Sequence, residues 1–329
     1  MAFRWGIVGY GWVARDHFAP ALAQAGHELA GVVDLAPEAR AAALEQGVPA
    51  FDSIAALVPL GVDAVYVATP NHRHRAPVAA LADLALPTLC EKPLAATLTD
   101  AEAIAAVVDG KAFGTAFDQR HHPAHQAMRT AIADGTIGRV TALRVVYCCW
   151  VGEDFSPGGS VNWRTDRAAA GGGAVIDLAL HGLDLGQMLL GEPLVDLHIA
   201  LQRRVQPYAV DDGGMLTGRF GSGALLQSHV AYNCPEALPR RRLEVVGDRG
   251  KLVATNTMGQ DAGGALVLID GDTGERRAIP FDTELSPFAA QAAAFERWLH
   301  TRDDTFDVRR DLQLMRLFDC AHAKAHACL

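Results

Sequence analysis

Gly9-Tyr10-Gly11-Trp12-Val13-Ala14 decides how the chain is read. The spacing is G-x-G-x-x-A, set between an apolar run at 3–8 and a helical pattern over 12–25 that Gly26 stops. Gly9 permits a tight strand-to-helix turn, Gly11 admits the backbone to a pyrophosphate, and Ala14 lets the helix pack close to a sheet. Trp12 and Val13 belong to the same turn. A second strand at 28–33 ends in Asp34, 20 residues beyond Ala14. By itself the motif is common in loops; the strand before it, the helix after it and the acidic residue at this distance give it weight. Asp34 would accept hydrogen bonds from adenosine ribose hydroxyls and repel a 2′-phosphate. Leu35 brings no compensating cation, although Arg40 lies one turn into the next element. The expectation is a dinucleotide site that favours NAD, with NADP as the alternative.

The alternation continues with a helix at 37–46, a strand at 50–51, a helical turn at 54–58 and a strand at 64–68 that ends in Thr69-Pro70-Asn71-His72. A helix at 74–85 leads to a strand closing with Leu89-Cys90-Glu91-Lys92-Pro93-Leu94, and another strand covers 112–117. In an open parallel sheet, ligands bind beyond the carboxyl ends of the strands. Gly9, Asp34, Thr69, Asn71, His72, Glu91 and Lys92 therefore share one rim. A Glu-Lys pair is ordinarily a solvated surface pair. Here lysine is scarce, with Lys92, Lys111, Lys251 and Lys324 the only four among 29 basic residues. A lysine at a strand end can be kept for its compact ammonium and shiftable pKa.

After residue 117 the pattern changes. A helix at 123–134 precedes a long strand at 140–150, and the later half of the chain is mostly strands joined by Gly turns at 221–223, 247–250 and 271–274. Helices at 287–300 and 308–327 close the chain. The fold class is α/β: a doubly wound parallel sheet at 1–119, then an α+β domain with a large, mostly antiparallel sheet at 120–329. Inside the second domain, Gly171-Gly172-Gly173 precedes an apolar helix carrying Asp177, His181 and Asp184. Spacings of four and three place the three side chains on one face. An exposed stripe, or a core histidine satisfied by Asp177, is the plain alternative. The glycines favour a close backbone approach to a ligand or cofactor.

With 329 residues, two domains are expected. A net charge of −9 argues against non-specific binding to nucleic acid or an anionic membrane. Cys90, Cys148, Cys149, Cys234, Cys320 and Cys328 form no framework pattern and are expected as reduced, mostly buried thiols in a reducing cytoplasm. Residues 1–14 imitate a short signal peptide, but their glycines and Arg15-Asp16 fit a strand entering a turn better. No stretch is expected to span a membrane. His72 and His74, and His121, His122 and His125, lack the spacing of a zinc signature, so no metal is expected. His121 stands at the domain junction, where it can line a substrate cleft, and Trp163-Arg164 precedes the glycines and the polar helix.

These motifs, in this order, resemble the glucose-fructose oxidoreductase, inositol dehydrogenase and rhizopine-catabolism (Gfo/Idh/MocA) family of NAD(P)-dependent oxidoreductases over nearly the whole chain. The resemblance rests on residues 9–14, 69–72, Cys90-Glu91-Lys92-Pro93, Trp163-Arg164, and Gly171 to Gly173 with Asp177 and His181. It implies a Rossmann domain followed by an α/β domain whose open sheet often mediates homodimers or homotetramers. It also implies that Lys92, Asp177 and His181 match the catalytic positions of sugar and polyol dehydrogenases, with Arg120 near substrate. The chemistry is coherent: His181 exchanges a hydroxyl proton, Asp177 orients its ring or binds substrate, and Lys92, directed by Glu91 or backbone, stabilises the oxygen. Two rivals are a redox glycosidase with tightly held NAD and a dinucleotide-sensing regulator, since a galactose-pathway repressor shares the fold. The turn at Leu84-Ala85-Leu86-Pro87 departs from the family's basic or Gly-Lys turn. Residues 149–162 match no substrate subgroup.

Overall fold

The computed structural model describes residues 2–155 and 162–327; residues 156–161 of the substrate-subgroup stretch, and Cys328, lie outside them. Six parallel strands form the first sheet: β1 (Arg4–Val8), β2 (Glu28–Val33), β3 (Ala50–Phe51), β4 (Ala64–Val67), β5 (Thr88–Glu91) and β6 (Phe113–Ala116). Their order is β3-β2-β1-β4-β5-β6. Residues 64–67 and 113–116 are buried throughout, as strands covered on both faces must be. The chain reverses direction across the sheet between β1 and β4, where a crevice opens at the carboxyl ends. The N-terminal apolar run is thus the central strand.

The helix after the Gly turn begins with a π-helical turn, Ala14–Phe18, before the α-helix Ala19–Gln24. Phe18 there stacks on Tyr66 of β4 at 3.7 Å. One helix, Leu98–Val107, has no counterpart in the expected pattern. Its signal was present: Thr97 is an N-cap residue whose hydroxyl accepts from the Asp100 N–H at 3.1 Å and donates to the Asp100 carboxylate at 2.9 Å.

The second sheet has eight strands: β7 (Val140–Cys148), β8 (Leu194–Gln202), β9 (Gly213–Phe220), β10 (Leu225–Ala231), β11 (Arg241–Gly247), β12 (Gly250–Thr255), β13 (Ala265–Asp270) and β14 (Arg276–Ala278). They run β14-β13-β12-β11-β7-β10-β9-β8, antiparallel except where β7 meets β10. Leu216 and Phe220 of β9 point into the core, while Met215, Thr217 and Arg219 at the alternate positions are exposed. One face is therefore packed and the other bare.

The chain then returns to the first sheet. Helix Pro287–Thr301 comes after the second sheet in sequence, yet its Phe288, Phe295 and Trp298 join the core of Trp5 and Phe18. A division at 119/120 assigns this helix to the second unit; its side chains lie in the first core. The run Arg167–Leu190 is also long and apolar enough to cross a membrane, where no such segment was expected, but 83% of its most apolar window is buried inside the protein. All five described cysteines are free, and only Cys90 and Cys148 are buried, fewer than expected.

Candidate active site

At the crevice, Gly9 has φ +90°, and a Cβ there would lie 2.8 Å from the Ala68 carbonyl carbon and the Thr69 nitrogen. Only glycine fits. A Cβ on Gly11 would point into open space, so the backbone of the turn is accessible. Asp34 stands at its mouth, accepting from the Tyr10 N–H at 2.7 Å and the Ala36 N–H at 2.8 Å. Arg40 Nη1 donates to the carbonyls of Asp34 at 2.8 Å and Leu35 at 3.0 Å. Trp12, Val13, Thr69, Asn71, Glu91 and Lys92 line a cleft of about 660 Å³ open to solvent. The accessible turn, the carboxylate beyond β2 and the shared rim fit a dinucleotide. His72 does not line this cleft; its Nδ1 faces the Ala169 carbonyl at 3.2 Å, and the Asn71 amide donates to the Ala170 carbonyl at 2.9 Å. The Thr69–His72 turn thereby fastens the first sheet to the segment before the glycine run.

Lys92 enters the cleft from the end of β5. Its Nζ donates to Asp177 Oδ1 at 2.7 Å and to the Asp177 carbonyl at 2.8 Å. Of the two directors expected, Glu91 or backbone, a backbone carbonyl, that of Asp177, takes part; Glu91 instead accepts from the Tyr66 hydroxyl and from the Lys92 backbone N–H at 3.2 Å. Burial pushes the Glu91 carboxyl up to about 7, against the pull of Lys92 and Tyr66. Asp177 also accepts from the Tyr232 hydroxyl at 2.5 Å and lies 3.8 Å from Arg164 Nε. Burial disfavours its charge, but Lys92 and Arg164 outweigh burial and hold the carboxyl below the usual range. Arg164 is stacked 4.6 Å from Trp163 and 5.8 Å from Trp12, so Trp163-Arg164 lines the cleft as the motif order implied.

His181 faces the same space, and its partner is not Asp177. Its Nδ1 lies 3.3 Å from Asp118 Oδ1, close enough for an ion pair but off the line of a good hydrogen bond. Tyr147 sets its ring edge-on at 5.6 Å. Burial raises the Asp118 carboxyl, but His181, Gln119 and Lys92 reverse that and leave it lowered. The buried Gln291 amide, with its oxygen turned toward the chain, accepts from the N–H groups of Phe117 and Asp118, so the returning helix positions Asp118. Sequence reasoning missed this residue, although an acid directly beyond the last parallel strand stands on the ligand rim. Tyr147, Tyr232, Gln260 and Phe288 were also missed; they come from strands, a loop and a helix far from the motifs.

Asp177 sits in a π-helical turn, Val175–Ala179, that runs into the helix Leu180–Leu190. Asp184, three residues past His181 and so about 60° round an α-helix, leaves the cleft. It bonds Arg120, whose Nε reaches Asp184 Oδ2 at 2.6 Å and whose Nη2 lies 3.1 Å from Asp311. Arg120 is thus an interior cation. His121 is buried against Phe306 at 5.6 Å, and burial, with Arg120 nearby, pushes it down to about 3. Neither lines the cleft, contrary to the substrate role expected of them. The turn Asp118–His121 aims Asp118 at the cleft and the next residues inward.

The glycine run also has a different cause from the expected one. A Cβ on Gly171 would meet the Ala96 carbonyl oxygen at 2.3 Å, and one on Gly173 the Asp211 carbonyl oxygen at 2.0 Å. The close approach is by the protein's own backbone.

Residues 3–112 match an oxidoreductase family with an NAD-binding Rossmann fold, and residues 125–253 match the GFO/IDH/MocA C-terminal domain. The 1,5-anhydro-D-fructose reductase of Ensifer adhaerens is 35% identical over 285 residues, covering 85% of this chain and 83% of that one. The chain belongs to the Gfo/Idh/MocA oxidoreductase family. Among solved structures of this fold, aldose-aldose oxidoreductase from Caulobacter crescentus, complexed with glycerol, superposes with a TM-score of 0.87 at 24% identity over 100% of this chain and 99% of that one. Levoglucosan dehydrogenase in complex with NADH and levoglucosan superposes with a TM-score of 0.85 at 22% identity, covering 99% and 98%. A Gfo/Idh/MocA Rossmann domain binds a nicotinamide dinucleotide, and the cleft that Lys92 enters opens on that domain's ligand rim.

Proposed function

We propose that this oxidoreductase transfers a hydride between NAD(H) and a secondary alcohol or ketone carbon of a sugar, inositol or related polyhydroxy compound. The observation that carries the reading is the ammonium of Lys92, the imidazole of His181 and the carboxylates of Asp118 and Asp177 converging on a cleft at the carboxyl ends of the first sheet. The bound nicotinamide supplies the hydride acceptor or donor. Lys92 spends two of its three N–H donors on Asp177. The third is free to bond the reacting oxygen and stabilise charge developing there. With Nδ1 of His181 beside Asp118, its Nε2 serves as the proton acceptor for the substrate hydroxyl, and the Asp118 carboxylate stabilises the imidazolium formed. Arg164 and Trp163, both lining the cleft, offer a cation and an aromatic face to a polyol.

In this reading residues 1–119 hold the cofactor, and residues 120–329 bring the substrate and assemble the oligomer. Met215 and Leu225, large apolar residues 45% and 57% exposed on the bare face of the second sheet, supply the apolar part of an interface between copies. The free cysteines fit a reducing cytoplasm. The test is a panel of sugars, polyols and their keto forms, followed by nicotinamide absorbance with both cofactors. A substrate that is turned over supports the proposal. Binding of NAD(H) without turnover of any member would leave a sensing role in its place.

A further inference from the structure

Behind the glycine run, Asp211, His322 and His326 each offer one ligand atom, and these atoms lie within 4.8 Å of one another. The two histidines are four residues apart on the last helix, Val308–His326, so both rings project from one face. Their centroids are 4.4 Å apart. His322 is only 6% exposed, and its Nε2 is buried without a hydrogen-bond partner; the Nε2 of His326 is likewise unpartnered. An orphaned ring nitrogen in the interior is costly. Asp211 is fully buried, and its two oxygens accept one N–H each, from Gly173 at 2.9 Å and Val175 at 2.8 Å. Each oxygen keeps a lone pair.

We propose that Asp211, His322 and His326 form a binding site for a divalent transition metal of the Zn²⁺ class. Two imidazoles and one carboxylate select Zn²⁺ or Co²⁺ over Mg²⁺ and Ca²⁺, which take all-oxygen shells. Tetrahedral Zn²⁺ with bonds of about 2.0–2.1 Å sets its ligands about 3.3 Å apart, so ligand atoms that lie within 4.8 Å of one another close by at most about 1.5 Å on binding. Burial pushes His322 down to about 4, and it also lowers His326. The rings are then neutral near pH 7, the form that binds metal. Arg167 bears on both rings and weakens the site, while the Asp211 charge opposes it. His326 is partly exposed, giving the ion a way in and room for a water as fourth ligand. Asp211 holds the N–H groups where the helix of Asp177 and His181 begins, so the ion would tie the last helix to the base of that helix.

The test uses full-length protein without a polyhistidine tag, stripped by a chelator. Co²⁺ should give visible absorption at one equivalent per chain, and Zn²⁺ should displace it. Zn²⁺ at about a hundred times its Kd should raise Tm by about 4 °C. His326→Ala, at the less buried position, should keep the metal-free Tm and lose both the absorption and the shift. The proposal is overturned by absence of one-equivalent binding, by equal binding in the native protein and His326→Ala, or by displacement of Co²⁺ with millimolar Mg²⁺.

Discussion

Lys92 and Asp177, 85 residues apart, are joined twice, through the Asp177 carboxylate at 2.7 Å and its carbonyl at 2.8 Å. The contact spans the two sheets: Lys92 comes directly after β5, and Asp177 opens the helix packed beside β7 and β10. It also fixes the ammonium with one donor to spare. Lys92→Ala should therefore lower kcat by about 10²–10³-fold, the usual cost of removing one oxyanion donor, while NAD affinity stays within a few fold. Pre-steady-state hydride transfer and a cofactor titration separate the two effects. Near-normal turnover would remove Lys92 from the chemistry.

A different test addresses the proton. Activity in the oxidative direction should rise with pH through one ionisation, because only neutral imidazole accepts a proton. His181→Asn should lose most of the activity together with that limb. Asp118→Asn should keep the limb but lower the rate, since the carboxylate 3.3 Å from Nδ1 stabilises the imidazolium that forms as the proton is taken. A limb that survives His181→Asn would make Lys92 the proton carrier, and an undiminished rate in Asp118→Asn would remove that carboxylate from the chemistry.

Cofactor choice rests on Asp34. Its carboxylate is held beside the Gly turn by two backbone N–H groups, and Arg40 is engaged with two carbonyls. NADH should bind at least about tenfold more tightly than NADPH, a difference of about 1.4 kcal/mol. Asp34→Ser should narrow the gap by removing the carboxylate that repels a 2′-phosphate, while Arg40 keeps its two backbone carbonyls. Tighter NADPH binding by the native protein would mean that Arg40 already overrides the acid.

Much of this arrangement was legible in the chain. Parallel strands covered on both faces are unbroken apolar runs, so the first sheet and its rim could be read, and with them Gly9, Asp34 and Lys92. The antiparallel sheet was marked by its turns. What stayed hidden were pairings made in space. Asp177 and His181 share a helix, which made a mutual hydrogen bond the natural reading, yet each takes its partner from the first sheet. The family resemblance implied Arg120 near substrate, but Asp184 and Asp311, 64 and 191 residues away, draw it inward. The helix Pro287–Thr301 could be read as a helix, but no local pattern could say which core it would join.

Buried histidines set an acid limit on stability. Burial pushes His74 down to about 4 and His125 down to about 3, against the carbonyls that hydrogen-bond them. Their ordinary value is about 6.5. Above it both states are neutral and the full stability is present; as pH falls below it the unfolded chain takes up protons the folded one refuses. Stability should drop by about 1.4 kcal/mol per pH unit for each such group until the folded values are reached. Urea unfolding at pH 7.0 and 5.5 measures this, and equal stability at the two would show that these rings are not held neutral.

The Arg120 network separates a structural role from a substrate role. Arg120 is 5% exposed and pairs with Asp184 and Asp311, both nearly fully buried. Removing the cation strands two carboxylates in the interior, and losing one partner of a buried pair costs about 3–5 kcal/mol. Arg120→Met should lower Tm sharply, or leave the chain unable to fold. Arg120→Lys keeps the charge but loses the planar fork that reaches both acids, so it should fold with a smaller loss of stability. Its KM for substrate should remain within about twofold of the native value, because the side chain does not reach the cleft. A large rise in KM at unchanged Tm in Arg120→Lys would return Arg120 to the substrate site and show that the cleft extends deeper than the residues that line it here.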